Sequence, residues 1–223
     1  MNKDKAIGFI KFIDELHKKD FFDMNKLWVT RIEQFNSFKD IGKNGLISDS
    51  NEGKIGNNSA MNAYISSFTI VKMSNFSLDG KLKREFVKPI INSEISNNSN
   101  RPFIIIPVEN MTEFIKRAKQ SILYNENGDS FFTREVKYTK PKKGTKYSEV
   151  MMGYKDSKYS SQQEYRIGTV ENSPNLKTAI NKDRSSKIGK YIEFDRSFKF
   201  ASDLKGRNEL NHLSSTDFEK NKK

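Results

Sequence analysis

The chain has 223 residues, no cysteine, two histidines and a formal net charge of +12. Without cysteine there are no disulfides, thiol nucleophiles, zinc ribbons or iron–sulfur clusters, and two distant histidines exclude a multi-histidine metal centre. The positive charge attracts polyanions and is uneven: residues 134–223 hold 21 Lys and Arg against 12 Asp and Glu, a net of +9, leaving +3 for the rest.

The elements follow in chain order. Residues 5–19 predict an amphipathic helix, because Ile7, Phe9, Ile10, Ile13 and Leu16 recur at helical spacing. His17 falls at its polar end and reads as a helix-end residue. Lys and Asp interrupt this segment too often for a secretory leader, and no apolar run reaches membrane-spanning length. A cytoplasmic protein, away from membranes, is the expectation.

Leu27 to Ile32 predicts a strand, being aromatic and β-branched. Phe35 to about Met61 is polar and reads as a long loop. Asn62 to Val71 predicts a second strand, with Tyr64, Ser66 and Phe68 on one face and Ala63, Ile65, Ser67 and Thr69 on the other. Residues 72–101 read as polar connecting structure, with an exposed tip at Ile95–Asn100. Pro102 to Val108 is continuously apolar and predicts a buried central strand. Asn110 with Glu113 three positions on resembles a capping box. It opens a helix whose apolar stripe is Met111, Phe114, Ile115, Ala118 and Ile122.

Further strands are predicted at 135–139, 164–170 and 190–194, with weaker candidates at 148–152, a short strand or helix, and at 198–201, a strand. Several strands with two good helices favour an α+β fold, a mixed or antiparallel central sheet with a few flanking helices, over a doubly wound parallel sheet. The expected organisation is a single domain over 1–213 and a flexible basic tail over 214–223.

No glycine pattern forms a phosphate-cradling loop. The segment that carries chemistry is Gln162-Gln163-Glu164-Tyr165-Arg166, a Gln-x-Glu triplet entering a strand. There a carboxylate can project into a cleft. Arg31 ends the first strand, where a guanidinium can hold a phosphate bidentately. Tyr64, Ser66, Ser67 and Phe68 place hydroxyls and rings on the second. Taken singly, each has an ordinary structural role as a surface ion pair, a cross-strand contact or a polar turn.

The order Arg, aromatic-Ser-Ser, Gln-x-Glu resembles the ADP-ribosyltransferase superfamily. That resemblance implies NAD as substrate and a similar sheet. Arg31 would contact the NAD pyrophosphate or ribose, while Tyr64, Ser66, Ser67 and Phe68 would line the nicotinamide pocket. Glu164 would hold the ribose 2′-hydroxyl and Gln162 would help choose the acceptor. A fixed carboxylate beside the ribose stabilises the positive charge that develops as the nicotinamide bond breaks.

A second resemblance covers more of the chain. LWVTRIEQFNSFKD at 27–40, YISSFT at 64–69 and KDSKYSSQQEYRI at 155–167 are similar, in order and spacing, to a bacterial domain family of FNDPF…SFS…W..E.EyR type. Ser37-Phe38 stands for its Asp-Pro and Tyr159 for its Trp. Its members look like components of mobile elements, phage-defence systems and toxins. This implies a defence or toxin setting, with an acidic antitoxin or regulatory partner for the basic surface.

Lys140, Lys142, Lys143, Lys146, Lys155, Lys158 and Arg166 lie among tyrosines in the basic C-terminal part. Cations that neutralise phosphates and rings that stack on bases suit a nucleic-acid strand. A non-enzymatic nucleic-acid-binding protein is therefore the alternative to NAD-dependent transfer. A metal-dependent nuclease using Asp49, Glu52 and Glu164 ranks last, since their spacing matches no known metal set.

Overall fold

The structure is a computed structural model of the full chain. It describes residues 4–23, 25–32, 63–94, 102–123, 130–140, 153–170, 189–194, 205 and 207–219.

Residues Ala6–Phe12 form strand β1, where the sequence predicts a helix. The strand pairs with a neighbour on each side and is buried on both faces, so successive residues are apolar. Ile10 and Phe12 enter one hydrophobic cluster and Phe9 the other, and such a run imitates a helical stripe. Helix α1 (Glu15–Asp23) starts only after Asp14, whose carboxylate accepts a hydrogen bond from the Leu16 amide at 3.0 Å. Leu16, assigned to the buried stripe, is 83% exposed, while Phe21 supplies the core contact. Asn25 (φ 51°) adopts the left-handed conformation that turns the chain into β2 (Lys26–Arg31).

Strand β3 (Ala63–Lys72) organises the sheet. One of its edges pairs antiparallel with β6 (Glu164–Val170) from Ala63 to Thr69. The other edge is shared, with β2 joining at Tyr64–Ile65 and β1 at Thr69–Lys72. The Ser67 carbonyl lies between them and accepts a hydrogen bond from Lys11 Nζ at 3.0 Å. A β-sheet carbonyl without a neighbouring strand needs such a donor. Strand β4 (Phe103–Pro107) flanks β1, β5 (Ser130–Glu135) flanks β6, and β7 (Gly189–Glu193) flanks β2. Among the described residues every strand pairing is antiparallel. The class is α+β with a curled antiparallel sheet.

Helix α3 (Val108–Leu123) covers one face, packing Met111, Phe114 and Ala118 against Phe9, Val29, Phe68 and Ile167. It begins two residues before the expected cap at Asn110. Glu113 is therefore inside the helix, where it accepts from Arg117 Nε at 2.7 Å. Helix α2 (Arg84–Glu94) covers part of the opposite face with Phe86, Val87 and Ile90. It replaces much of the polar connection expected over 72–101. Its narrow apolar stripe and internal Pro89 hide it in the sequence.

Leu210, Leu213 and Phe218 join the α2 layer. The tail expected over 214–223 is corrected for its described part: Ser214 opens a short 3-10 turn over Ser215–Phe218, and Phe218 is buried against the sheet, while residues 220–223 lie outside the described residues. The strand expected at 135–139 is observed earlier, at β5. The expected loop at 35–61, the tip at 95–100 and the candidate elements at 148–152 and 198–201 lie outside the described residues. Among the described residues no helix is long and apolar enough to cross a membrane.

Candidate functional site

The Gln-x-Glu segment follows a 3-10 turn, Ser157–Gln162, opened by Asp156, whose carboxylate accepts from the Lys158 amide at 3.0 Å. Gln163 (φ 43°) is left-handed and redirects the chain into β6. Glu164 therefore enters opposite Thr69 of β3, its amide donating to the Tyr138 hydroxyl at 2.7 Å.

The Glu164 carboxylate is buried, 6% exposed, and taken up by the protein. Arg166 Nε donates to Oε1 at 2.7 Å and Lys155 Nζ to Oε2 at 2.9 Å. Ser67 Oγ also donates to Oε1. Lys155 reaches Gln162 Oε1 as well, at 3.0 Å, and its ammonium lies 5.5 Å from the Tyr159 ring centre. The triplet thus converges through Lys155. Burial alone raises the Glu164 pKa, but the charges of Arg166 and Lys155, with bonds from Arg166 and Ser67, outweigh it and hold the carboxyl well below the usual range. Burial and then the Glu164 charge push the Tyr138 hydroxyl above its ordinary value.

Residues directly opposite in an antiparallel ladder share a face. Arg31 is opposite Tyr64, so Arg31, Tyr64, Ser66 and Phe68 share the face packed by α3. Ser67 is opposite Arg166 and Thr69 opposite Glu164, so Ser67, Glu164 and Arg166 share the other. The expected convergence of Arg31 with Glu164 is corrected on this ground, since the sheet lies between them. Tyr64 and Phe68 are core residues, and the Phe68 ring meets Phe114 edge-on at 5.8 Å.

Two expected phosphate contacts are corrected as well. Arg166 is 0% exposed and Lys155 nearly buried, and both serve Glu164. Lys140 and Lys158 are exposed, whereas Lys142, Lys143 and Lys146 lie outside the described residues, as do Asp49 and Glu52. The sequence carried one unused signal for the cluster. Glu164 and Arg166 are two apart on a strand, and side chains so spaced meet on one face.

A pinned carboxylate with two cations and a hydroxyl ties β6 and the turn before it to β3. It does not present a free base. On the opposite face, the hydroxyls of Ser66 and Thr169 are buried without a hydrogen-bond partner among the described residues. Burying such a hydroxyl costs about 1–3 kcal/mol. Thr169→Val keeps the shape and removes the group, so it is expected to raise stability by about 1 kcal/mol in urea unfolding. A loss of stability instead would show that Thr169 Oγ1 holds a water or ligand.

Comparison of the chain with protein-family models, with curated proteins and with solved structures finds no match.

Proposed function

We propose that this chain binds nucleic acid without transforming it, as a basic protein of the mobile-element or phage-defence kind that its motifs resemble. The observation that carries this reading is the net charge of +12. The internal pairing of Glu164 supports it, because a carboxylate held by Arg166, Lys155 and Ser67 is spent on the fold rather than kept for chemistry. The same charge suits an acidic regulatory partner competing for the surface.

Salt decides the matter. A protein that neutralises several phosphates releases counterions, and its affinity falls about 10³- to 10⁵-fold between about 50 and 200 mM salt. Fluorescence anisotropy with labelled RNA and single-stranded DNA is expected to show a fall of this kind, and affinity independent of salt overturns the reading. Incubation with NAD is expected to leave nucleic acid and protein unmodified by mass spectrometry.

A second reading, transfer of ADP-ribose from NAD, is favoured by the meeting of Ser67, Gln162 and Glu164 around Lys155. It requires Glu164 to exchange a cation for a ribose hydroxyl. If NAD-dependent adducts form, this reading replaces the first, and Glu164→Gln should lower their rate about 100-fold or more.

A further inference from the structure

We propose that Trp28, His17 and Tyr191 form a stacking platform for the bases of a single-stranded nucleic acid, an inference that rests on the nucleic-acid-binding reading above. Trp28 on β2 is directly opposite Tyr191 on β7. The His17 ring, from α1, stacks on Trp28 with centres 4.3 Å apart and planes 15° from parallel. Tyr191 meets Trp28 edge-on at 4.8 Å and His17 at 5.7 Å. All three side chains are half-buried and keep part of their surface accessible, whereas Leu27 and Val29 beside Trp28 are buried in the core. The only tryptophan of the chain thus keeps part of its ring open to water while the rest packs on His17 and Tyr191.

The rings are held in place by polar atoms. The Tyr191 hydroxyl donates its one proton to Asp20 Oδ2 at 2.7 Å. Its oxygen must then accept from His17 Nδ1, 2.9 Å away. This fixes the proton on Nδ1 and the plane of the imidazole. Burial, followed by the bond to Asp20, pushes the Tyr191 pKa up to about 12, so the chain of bonds persists across the physiological range. A preorganised aromatic surface loses little conformational freedom when a base stacks on it.

Charge selects the occupant. Lys26 is two residues before Trp28 on the same strand, and Lys18 follows His17; both are half-buried. Rings with neighbouring cations match the base and phosphate of one nucleotide. A duplex keeps its base faces stacked inside, so the platform distinguishes single strands from double strands.

The lone tryptophan makes the test direct, since all indole emission comes from the platform. An oligothymidylate strand and a duplex of equal length are titrated into the full chain, with indole emission and the anisotropy of labelled oligonucleotide followed together. For the single strand, quenching is expected to saturate with the anisotropy change, and the duplex should quench little. Trp28→Leu is expected to weaken single-strand binding roughly tenfold and to leave duplex binding unchanged. Anisotropy that rises while Trp28 emission stays constant overturns the platform and leaves the binding reading standing. Equal quenching by the duplex also overturns it. No anisotropy change at low salt removes both. The wild-type emission decides even if the variant fails to fold.

Discussion

Arg166→Met is expected to destabilise the protein by about 3–5 kcal/mol, the typical cost of removing one partner from a buried ion pair. Arg166 is fully buried and is the closer cation to Glu164 Oε1. Its loss leaves a buried carboxylate supported by Lys155 and Ser67 alone. Urea unfolding measures the effect. A change below about 1 kcal/mol, the range of exposed pairs, would show that the cluster is open to water. Glu164→Gln should also destabilise, because it leaves Arg166 and Lys155 facing a neutral amide. The double variant should be less damaging than the two single costs together, since both remove one interaction.

The pH dependence has a definite sign. The folded Glu164 pKa is depressed below the unfolded value of about 4.5. Its stabilisation is therefore fully present above that value and is lost progressively as pH falls from there towards the depressed folded pKa. Acid should weaken the wild type more steeply through this window than Glu164→Gln, which has no proton to take up. Parallel acid titrations of the two proteins would remove the assignment.

Gly168→Ala is expected to cost about 3 kcal/mol, the upper end for forcing an extra carbon into a packed sheet. Gly168 lies in β6 with Ile65 on one side and Phe132 on the other. A Cβ at this position would collide with the Tyr64 carbonyl oxygen and with the Phe132 ring. The ring can swing aside; the carbonyl belongs to β3 and cannot without distorting the ladder. Adding Phe132→Ala should therefore not rescue Gly168→Ala in the same urea experiment. Full rescue would place the clash with the ring alone.

Where strand pattern and burial agree, the sequence is easily read. β2, β3, β4 and β6 have β-branched or aromatic runs, and the structure has strands there. β1 misleads because a strand buried on both faces loses its alternation, and its apolar positions then fit a helix equally well. α2 is obscured by Pro89 and by a stripe only wide enough to cover the β1–β4 side of the sheet. The candidate site was visible as residues but not as geometry. Alternation already separates Ser66 from Ser67, yet only the register of β2 and β6 against β3 shows that Arg31 follows Ser66 while Glu164 follows Ser67. The pairing of Glu164 with Lys155 was equally hidden, because Lys155 reaches it around a left-handed residue, Gln163, whose φ no residue type there announces.

The pairing of β3 with β6 has a consequence for synthesis of the chain. Ser67 and Glu164 are 97 positions apart. As the polypeptide leaves the ribosome, β3 is complete long before its partner exists. Its unpaired amides and carbonyls meanwhile offer a template to other chains. Contacts this distant also form slowly. Fragments ending before residue 164 should consequently precipitate rather than remain dispersed, and newly made protein should gain from a chaperone that shields this edge until the late strand arrives.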